Sequence, residues 1–254
     1  GRYDLNETFG GHSTYRFAPA LIVPGTDTKL KASIGSGFRA PTLNERFIDL
    51  SLFKFVGNPS LKPEESVGWD AGFEQPLFDN KVRFGVTYFH NDIKNLINAT
   101  TNPFPAFNTY ENVAVATTWG YESFASWAVA PNLNLRGDYT FTRAFDEQTG
   151  QELLRRPRHK ASLQANWAPM RDVTLSGTVL YTGTWMDFDR YFQAPQAFQT
   201  NPYTLVNLAG SYKWSETVTL FARVDNLLDV KYQDPTGFLR PGLGVFGGVR
   251  LSSW

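Results

Sequence analysis

A period-two alternation of apolar and polar side chains recurs along nearly the whole 254-residue chain, and it limits the fold more than any other feature. Around Lys29–Gly37, Leu30, Ala32, Ile34 and Phe38 share one side, and Lys31, Ser33, Gly35 and Arg39 share the other. The apolar series continues as Val67/Trp69/Ala71/Phe73, Val82/Phe84/Val86/Tyr88, Leu133/Leu135/Gly137/Tyr139, Ala161/Leu163/Ala165/Trp167, Val173/Leu175/Gly177/Val179, Val206/Leu208/Gly210/Tyr212 and Val218/Leu220/Ala222/Val224. Successive side chains of a strand point to opposite faces, so these runs predict strands with one apolar and one polar face. Gly1–Tyr3 reads as the stump of a strand, followed by a polar loop through Ser13 and a strand over Tyr15–Ile22. No segment carries a helical period.

The connections alternate in length. Short turns fall at Val23–Thr28, Pro76–Asn80, Ala130–Asn132, Ala168–Asp172 and Lys213–Glu216, and long connections near 4–14, 38–66, 92–108, 146–157, 185–202 and 230–241. The stretch from Phe38 to Ser66, broken by Pro41, Gly57, Pro59 and Pro63, is the longest without a strand pattern. Strict alternation places every long loop at one end of an antiparallel sheet. A soluble sandwich has no reason to differ so consistently between its ends, whereas an outer-membrane barrel does.

Composition removes several other classes. Cysteine is absent, which excludes disulfides, thiolate metal sites and cysteine nucleophiles. His12, His90 and His159 are dispersed and form no metal motif. Acidic and basic residues number 24 each, so no global field recruits nucleic acid. No run reaches the length of a membrane helix, and no signal peptide begins the chain. Aromatics make up 15% of residues, and Tyr88, Tyr139, Phe141, Trp167, Tyr181, Tyr212 and Trp214 cluster near strand ends. A girdle at a lipid–water boundary would place them there; a sandwich core is the alternative. Arg83, Arg136, Asp138 and Arg223 lie on polar faces and, with Arg39, suit the wet or plugged lumen of a barrel.

Three local signatures carry a resemblance. Phe38-Arg39-Ala40-Pro41, followed by Asn58-Pro59-Ser60-Leu61-Lys62-Pro63-Glu64, resembles the paired boxes of TonB-dependent outer-membrane receptors. Val224-Asp225-Asn226-Leu227-Leu228-Asp229, with Tyr232 beyond it, resembles their penultimate-strand motif, and the terminal Trp254 resembles their C-terminal insertion signal. The parity of Val245, Val249 and Leu251 is opposite to that of Trp254, which suggests a bulge at Ser252–Ser253. Strand order and spacing are most similar to the C-terminal half of the cobalamin-transporter branch. About twelve strands are counted, at about 21 residues each with connections, against about 22 strands in the family's plugged barrel. The reading is therefore a single domain over residues 1–254 that is part of an all-β antiparallel transmembrane barrel, with the plug absent. An independent twelve-stranded barrel is the alternative.

Weaker motifs have plainer readings. Gly242–Gly247 fits a nucleotide-binding glycine pattern, yet too few residues follow for the necessary helix, and the glycines relieve crowding in a last strand. Asn98-Ala99-Thr100 is a sequon by spelling only. Asp187 and Asp189 could hold a cation but read as solvated loop carboxylates, and Arg155-Arg156-Pro157-Arg158-His159-Lys160 reads as a solvated flank before a contact with lipopolysaccharide phosphate.

No nucleophile–base–acid grouping can be assembled, so no enzyme is predicted and no cofactor is called for. The resemblance implies uptake of a scarce, large ligand, with TonB acting through the missing plug. It further implies a lipid bilayer with lipopolysaccharide as surroundings and barrel-assembly machinery as the reader of Trp254. Candidate ligand contacts are loop aromatics, whose flat rings cover large ligands at low entropy cost: Phe47, Phe53 and Phe55; Phe104, Phe107 and Tyr110; Trp185, Phe188, Tyr191 and Phe192. Haem receptors of the family carry a histidine between the two boxes, and residues 42–57 contain none. Cobalamin is favoured over a ferric siderophore. A passive porin and a soluble binding sandwich are the other function classes.

Overall fold

The computed structural model describes residues 1–100, 102, 106–188 and 197–252. In chain order the strands are β1 (Arg2–Asn6), β2 (Gly10–Thr14), β3 (Arg16–Phe17), β4 (Ala20–Val23) and β5 (Thr28–Arg39). A one-turn helix α1 (Leu43–Phe47) precedes β6 (Asp49–Leu50), β7 (Phe55–Val56), β8 (Glu64–Leu77), β9 (Val82–Ala99), β10 (Tyr110–Ala130) and β11 (Leu133–Asp146). Then follow β12 (His159–Met170), β13 (Val173–Thr182), β14 (Met186–Phe188), β15 (Ala197–Gln199), β16 (Tyr203–Lys213), β17 (Val218–Asp225) and β18 (Gly244–Leu251).

One antiparallel sheet of twelve strands runs β18-β17-β16-β13-β12-β11-β10-β9-β8-β5-β3, with β4 also paired to β5. β3 and β4 are two pieces of the edge strand expected over Tyr15–Ile22. The break falls at Ala18–Pro19, where proline offers no N–H to the ladder. The expected stump at the N-terminus is corrected: β1 pairs only with β2, in a separate hairpin, and Gly10–Thr14 is strand rather than loop. The absence of helix also needs correcting. Thr42 caps α1 through its side chain, and Glu45 returns the bond to the Thr42 backbone, a reciprocal capping box.

Register confirms the two faces. Val82, Trp127, Leu135, Ala165, Gly177, Leu208, Val224 and Val245 are successive cross-strand partners from β9 to β18. One step along, Arg83, Ser126, Arg136, Gln164, Thr178 and Asn207 form an equally unbroken polar row. No second layer covers the apolar face among the described residues: Leu163 is 55% exposed, and Leu175, Val179, Leu208, Val245 and Val249 are exposed too. The buried apolar residues are Leu61, Ile97, Ala116, Ala144 and Trp185, all at the long-loop end. Total accessible surface is 16569 Å², whereas a compact globular protein of this length exposes about 11,000 Å². A continuous apolar face with nothing packed on it among the described residues is the pattern of a barrel wall that meets hydrocarbon.

The ladder extends further than the alternation predicts. β9 reaches Ala99 and β10 spans 21 residues, against about 9–11 needed to cross a bilayer. In these extensions no face turns to lipid, and Ile97, Ala116 and Thr117 are buried, so pairing continues while the alternating signature ends. The expected loop at 92–108 shrinks accordingly to 100–109. β18 pairs with β17 through Leu251 without a register break; Ser253 and Trp254 lie outside the described residues.

Candidate functional site

Long connections 40–63, 100–109, 147–158, 183–202 and 226–243 all leave the same end of the sheet. They are organised by two polar hubs, and most of the family-motif residues belong to one or the other.

The first hub anchors the 40–63 loop. Arg39 ends β5 and is clamped by Glu64 (Nη2–Oε1 2.6 Å) and Glu45 (Nη1–Oε2 3.0 Å), while Glu64 also accepts the Ile97 N–H at 2.8 Å. Burial pushes the Glu45 carboxyl up, but the Thr42 N–H, the Thr42 hydroxyl and Arg39 together hold it below the usual carboxylate range. Asn58 donates to the Tyr110 carbonyl at 2.9 Å, Pro59 accepts from Arg46, and Leu61 and Pro41 are buried beneath. Pro63 accepts from Asn95 at 3.4 Å, Ala40 leads into the turn at Pro41, and Phe38 stacks on His12 with ring centroids 4.3 Å apart.

The second hub joins the loops above β11 to β18. Asn226 accepts the Val230 N–H (3.0 Å) and donates to the Val230 and Pro241 carbonyls. Asp229 accepts from Lys231 and from the Leu243 N–H, which hold its carboxyl low. Leu227 is exposed, and Tyr232 lies against Tyr203 at 4.4 Å between centroids. The expectation for Asp187 is corrected here, because it is fully buried. Its carboxylate receives the Arg155 guanidinium (3.1 Å), the Phe188 N–H (2.9 Å) and the Thr236 N–H (2.9 Å), and so ties three loops together. Burial raises its pKa, and those donors outweigh burial and lower it. The basic segment is a solvated flank only in part: Arg156 and Lys160 are exposed, whereas Arg155 serves Asp187 and Arg158 pairs with Glu152 at 2.5 Å. Asp189 lies outside the described residues.

The candidate ligand contacts divide by exposure. Phe47 (57%), Phe53 (79%) and Phe107 (45%) present open rings. Arg46 lies 4.8 Å over Phe47, and Lys54 lies 4.6 Å over Phe107. Phe55 and Tyr110 pack edge to face at 5.1 Å and hold the 40–63 and 100–109 loops together. Trp185 is buried against Tyr203, and Phe188 lies under Arg155 at 5.5 Å, so both serve loop packing as they stand. Phe104, Tyr191 and Phe192 lie outside the described residues. Among these loops a cavity of about 770 Å³ is walled by Asn98, Glu111, Asp146, Glu152, Arg158 and Phe188. No group of three or more potential metal ligands forms among the described residues.

Below the loops, the polar face carries two repeated guanidinium shelves. Arg136 binds Asp138 at 2.6 Å and covers Phe124 at 5.1 Å; Arg223 binds Asp225 at 3.4 Å and covers Phe246 at 4.5 Å. Arg83 is exposed on the same face. The residues that pattern reading overlooked are Thr42, His12, Asp187's partner Thr236, and Tyr203. Only Thr42 had a sequence signal, the Thr-x-x-Glu of a capping box.

Solved structures share this arrangement. A ferric enterobactin receptor mutant from Pseudomonas aeruginosa superposes with a TM-score of 0.80 at 24% identity, covering 98% of this chain and 42% of that one. The siderophore receptor PirA from Acinetobacter baumannii gives 0.77 at 16% identity, with 98% and 42% covered. The copper transporter OprC gives 0.73 at 18%, with 93% and 39% covered. The chain thus spans about two fifths of their length, and at these identities the likeness is one of fold. Residues 1–227 match the family described as TonB dependent receptor-like, beta-barrel. Bare apolar face, one-sided loops and matched sequence agree: this chain belongs to the TonB-dependent receptor family of outer-membrane transporters and forms part of its β-barrel.

Proposed function

We propose that residues 1–254 form one continuous stretch of barrel wall in an integral outer-membrane receptor that imports a large, scarce ligand. The observation that carries this reading is the one-sided loop end, where exposed rings and cations meet above a sheet whose outer face suits only lipid. TonB would act through a plug lying outside this chain, resting on polar rows such as Arg83–Ser126–Arg136. Barrel-assembly machinery would insert the polypeptide, with lipopolysaccharide bordering the outer rim.

For the ligand, a ferric chelate fits better than cobalamin. Arg46 over Phe47 and Lys54 over Phe107 form cation-bearing aromatic surfaces that favour an anionic ligand with flat groups. The names of the superposed siderophore receptors support the same preference, while the strand series keeps cobalamin as the alternative. The test is a titration of the complete receptor in detergent with cobalamin and a panel of ferric chelates, alongside conductance in planar bilayers. Saturable micromolar or tighter binding of one chelate, with little steady conductance, is expected. No binding together with steady ohmic conductance would replace the receptor with a passive pore.

A further inference from the structure

The β1–β2 hairpin stands outside the twelve-stranded sheet, so no ladder fixes its place against β5. Directly after it, Tyr15 accepts the Ser36 N–H at 2.9 Å and donates its own N–H to the Ser36 hydroxyl at 3.2 Å. Above that link the hairpin depends on side chains, and one of them titrates.

The His12 ring lies flat on Phe38, with centroids 4.3 Å apart and planes 8° from parallel. Phe38 is the cross-strand partner of Glu65, and Glu65 of Lys94, so the stack sits on the outward continuation of the apolar face. The His12 side chain is only 16% exposed. Its Nε2 lies 3.2 Å from the Phe9 carbonyl, and its Nδ1 lies 3.8 Å from Glu65 Oε1. Both of these partners are acceptors. A neutral imidazole carries one N–H, so either tautomer turns a lone pair toward an oxygen, whereas an imidazolium presents an N–H to each. Its charge over the Phe38 ring face adds attraction.

The surrounding charges leave Glu65 as the decisive one. Asp92 and Lys94 of β9 line the cavity of about 500 Å³ beside His12 and offset each other. Asp4, opposite His12 on β1, is taken by Arg2. From α1, Arg46 lies 5.2 Å over the Phe9 ring, so the hairpin tip reaches the 40–63 loop.

We propose that the β1–β2 hairpin is a pH-sensitive strap laid across the 40–63 loop. Protonated His12 holds it against Phe38 and Glu65, and loss of the proton releases it and withdraws Phe9 from Arg46. The docked state gains its extra bonds only with the proton in place, so docking is full in mild acid and fades as pH rises. The loop beneath keeps its own anchorage at Arg39, Glu45 and Glu64. The strap does not depend on which ligand is carried.

Amide hydrogen exchange of the complete receptor without ligand tests it, with rates divided by the intrinsic rate at each pH. From about pH 5.5 to 8, where an imidazole gives up its proton, opening of β1 and β2 should become about tenfold more frequent. His12→Phe keeps a ring for the stack but carries no proton, and its hairpin should vary by less than about twofold over the same span. Glu65→Gln should cut the rise to about threefold. His159→Gln, a control on β12, should keep the wild-type rise, and amides of α1 and of the middle of β8 should stay flat. A wild-type rise below about twofold would overturn the strap. So would a rise that survives in His12→Phe, or one undiminished in Glu65→Gln.

Discussion

Replacing Asp187 by asparagine tests whether one buried carboxylate holds the outer loops as a unit. The change keeps the shape and removes the charge. Asp187 accepts from Arg155 Nε and the Phe188 N–H on Oδ1 and from the Thr236 N–H on Oδ2. An amide presents one oxygen and one NH2, so at least one of those donors would then face another donor. Losing the charge-assisted bond costs about 1.5–3 kcal/mol, and stranding a buried N–H costs a further 1–3 kcal/mol or so. The sum, about 2.5–6 kcal/mol, brackets the roughly 3–5 kcal/mol that breaking a buried ion pair typically costs. Local opening of the 226–243 loop should therefore become about a hundredfold more frequent or greater, at roughly 1.4 kcal/mol per tenfold. Amide hydrogen exchange of the complete receptor reads this directly, because the Phe188 and Thr236 N–H groups are the bonded donors. Both should lose their protection, while amides in the middle of β12 keep theirs. Exchange at Phe188 and Thr236 within about threefold of wild type, which is under 1 kcal/mol, would refute the hub.

Other consequences can be checked alongside it. Since donors depress the Asp187 and Glu45 pKa values below the ordinary carboxylate range, their stabilisation is full above that range and fades as pH falls through the depressed values. Opening free energies of the 40–63 and 226–243 loops, taken from exchange rates divided by the intrinsic rate at each pH, should thus be flat from neutral to mildly acidic pH and fall only in strong acid. Leu163→Arg on the apolar face should cost about 2–4 kcal/mol of folding stability in lipid, whereas Gln164→Arg on the opposite face should cost little, both read from urea titrations in bilayers. A Cβ at Gly120 would collide with the Phe141 carbonyl, while one at Gly137 meets nothing nearer than 3.8 Å. Gly120→Ala should lower the yield of inserted, heat-modifiable barrel, and Gly137→Ala should leave it unchanged. Thr42→Ala removes the cap of α1 and should cost about 1 kcal/mol, visible as faster exchange at Glu45 and Arg46 with the sheet unaffected.

The order of strands, their two faces and the gathering of long loops at one end were written in the alternation itself. Lipid and lumen impose opposite chemistries on neighbouring side chains, and that contrast repeats at every second residue within the membrane-crossing strands between Leu30 and Leu251. The signal fails where the contrast fails. β9 beyond Tyr88 and the outer part of β10 stay paired where lipid no longer faces one side and side chains such as Ile97 and Ala116 are buried, so nothing in residues 89–99 announces a strand. The β1–β2 hairpin is short and polar for the same reason.

The candidate site depended almost wholly on contacts distant in sequence. Asp187 reads as one more loop acid until Arg155 and Thr236, 32 and 49 residues away, close around it. Trp185 resembles any exposed loop aromatic until Tyr203 covers it. Asn58, Glu64 and Asn226 stand out as motif letters, yet only tertiary structure shows their backbone partners: the Tyr110 carbonyl of β10 for Asn58, the Ile97 N–H of β9 for Glu64, and Val230 of its own loop for Asn226. Sequence fixes which way a side chain points along a ladder, because pleating makes direction a matter of parity. Which loop residues meet above the sheet is decided by closure in three dimensions, where no such parity exists.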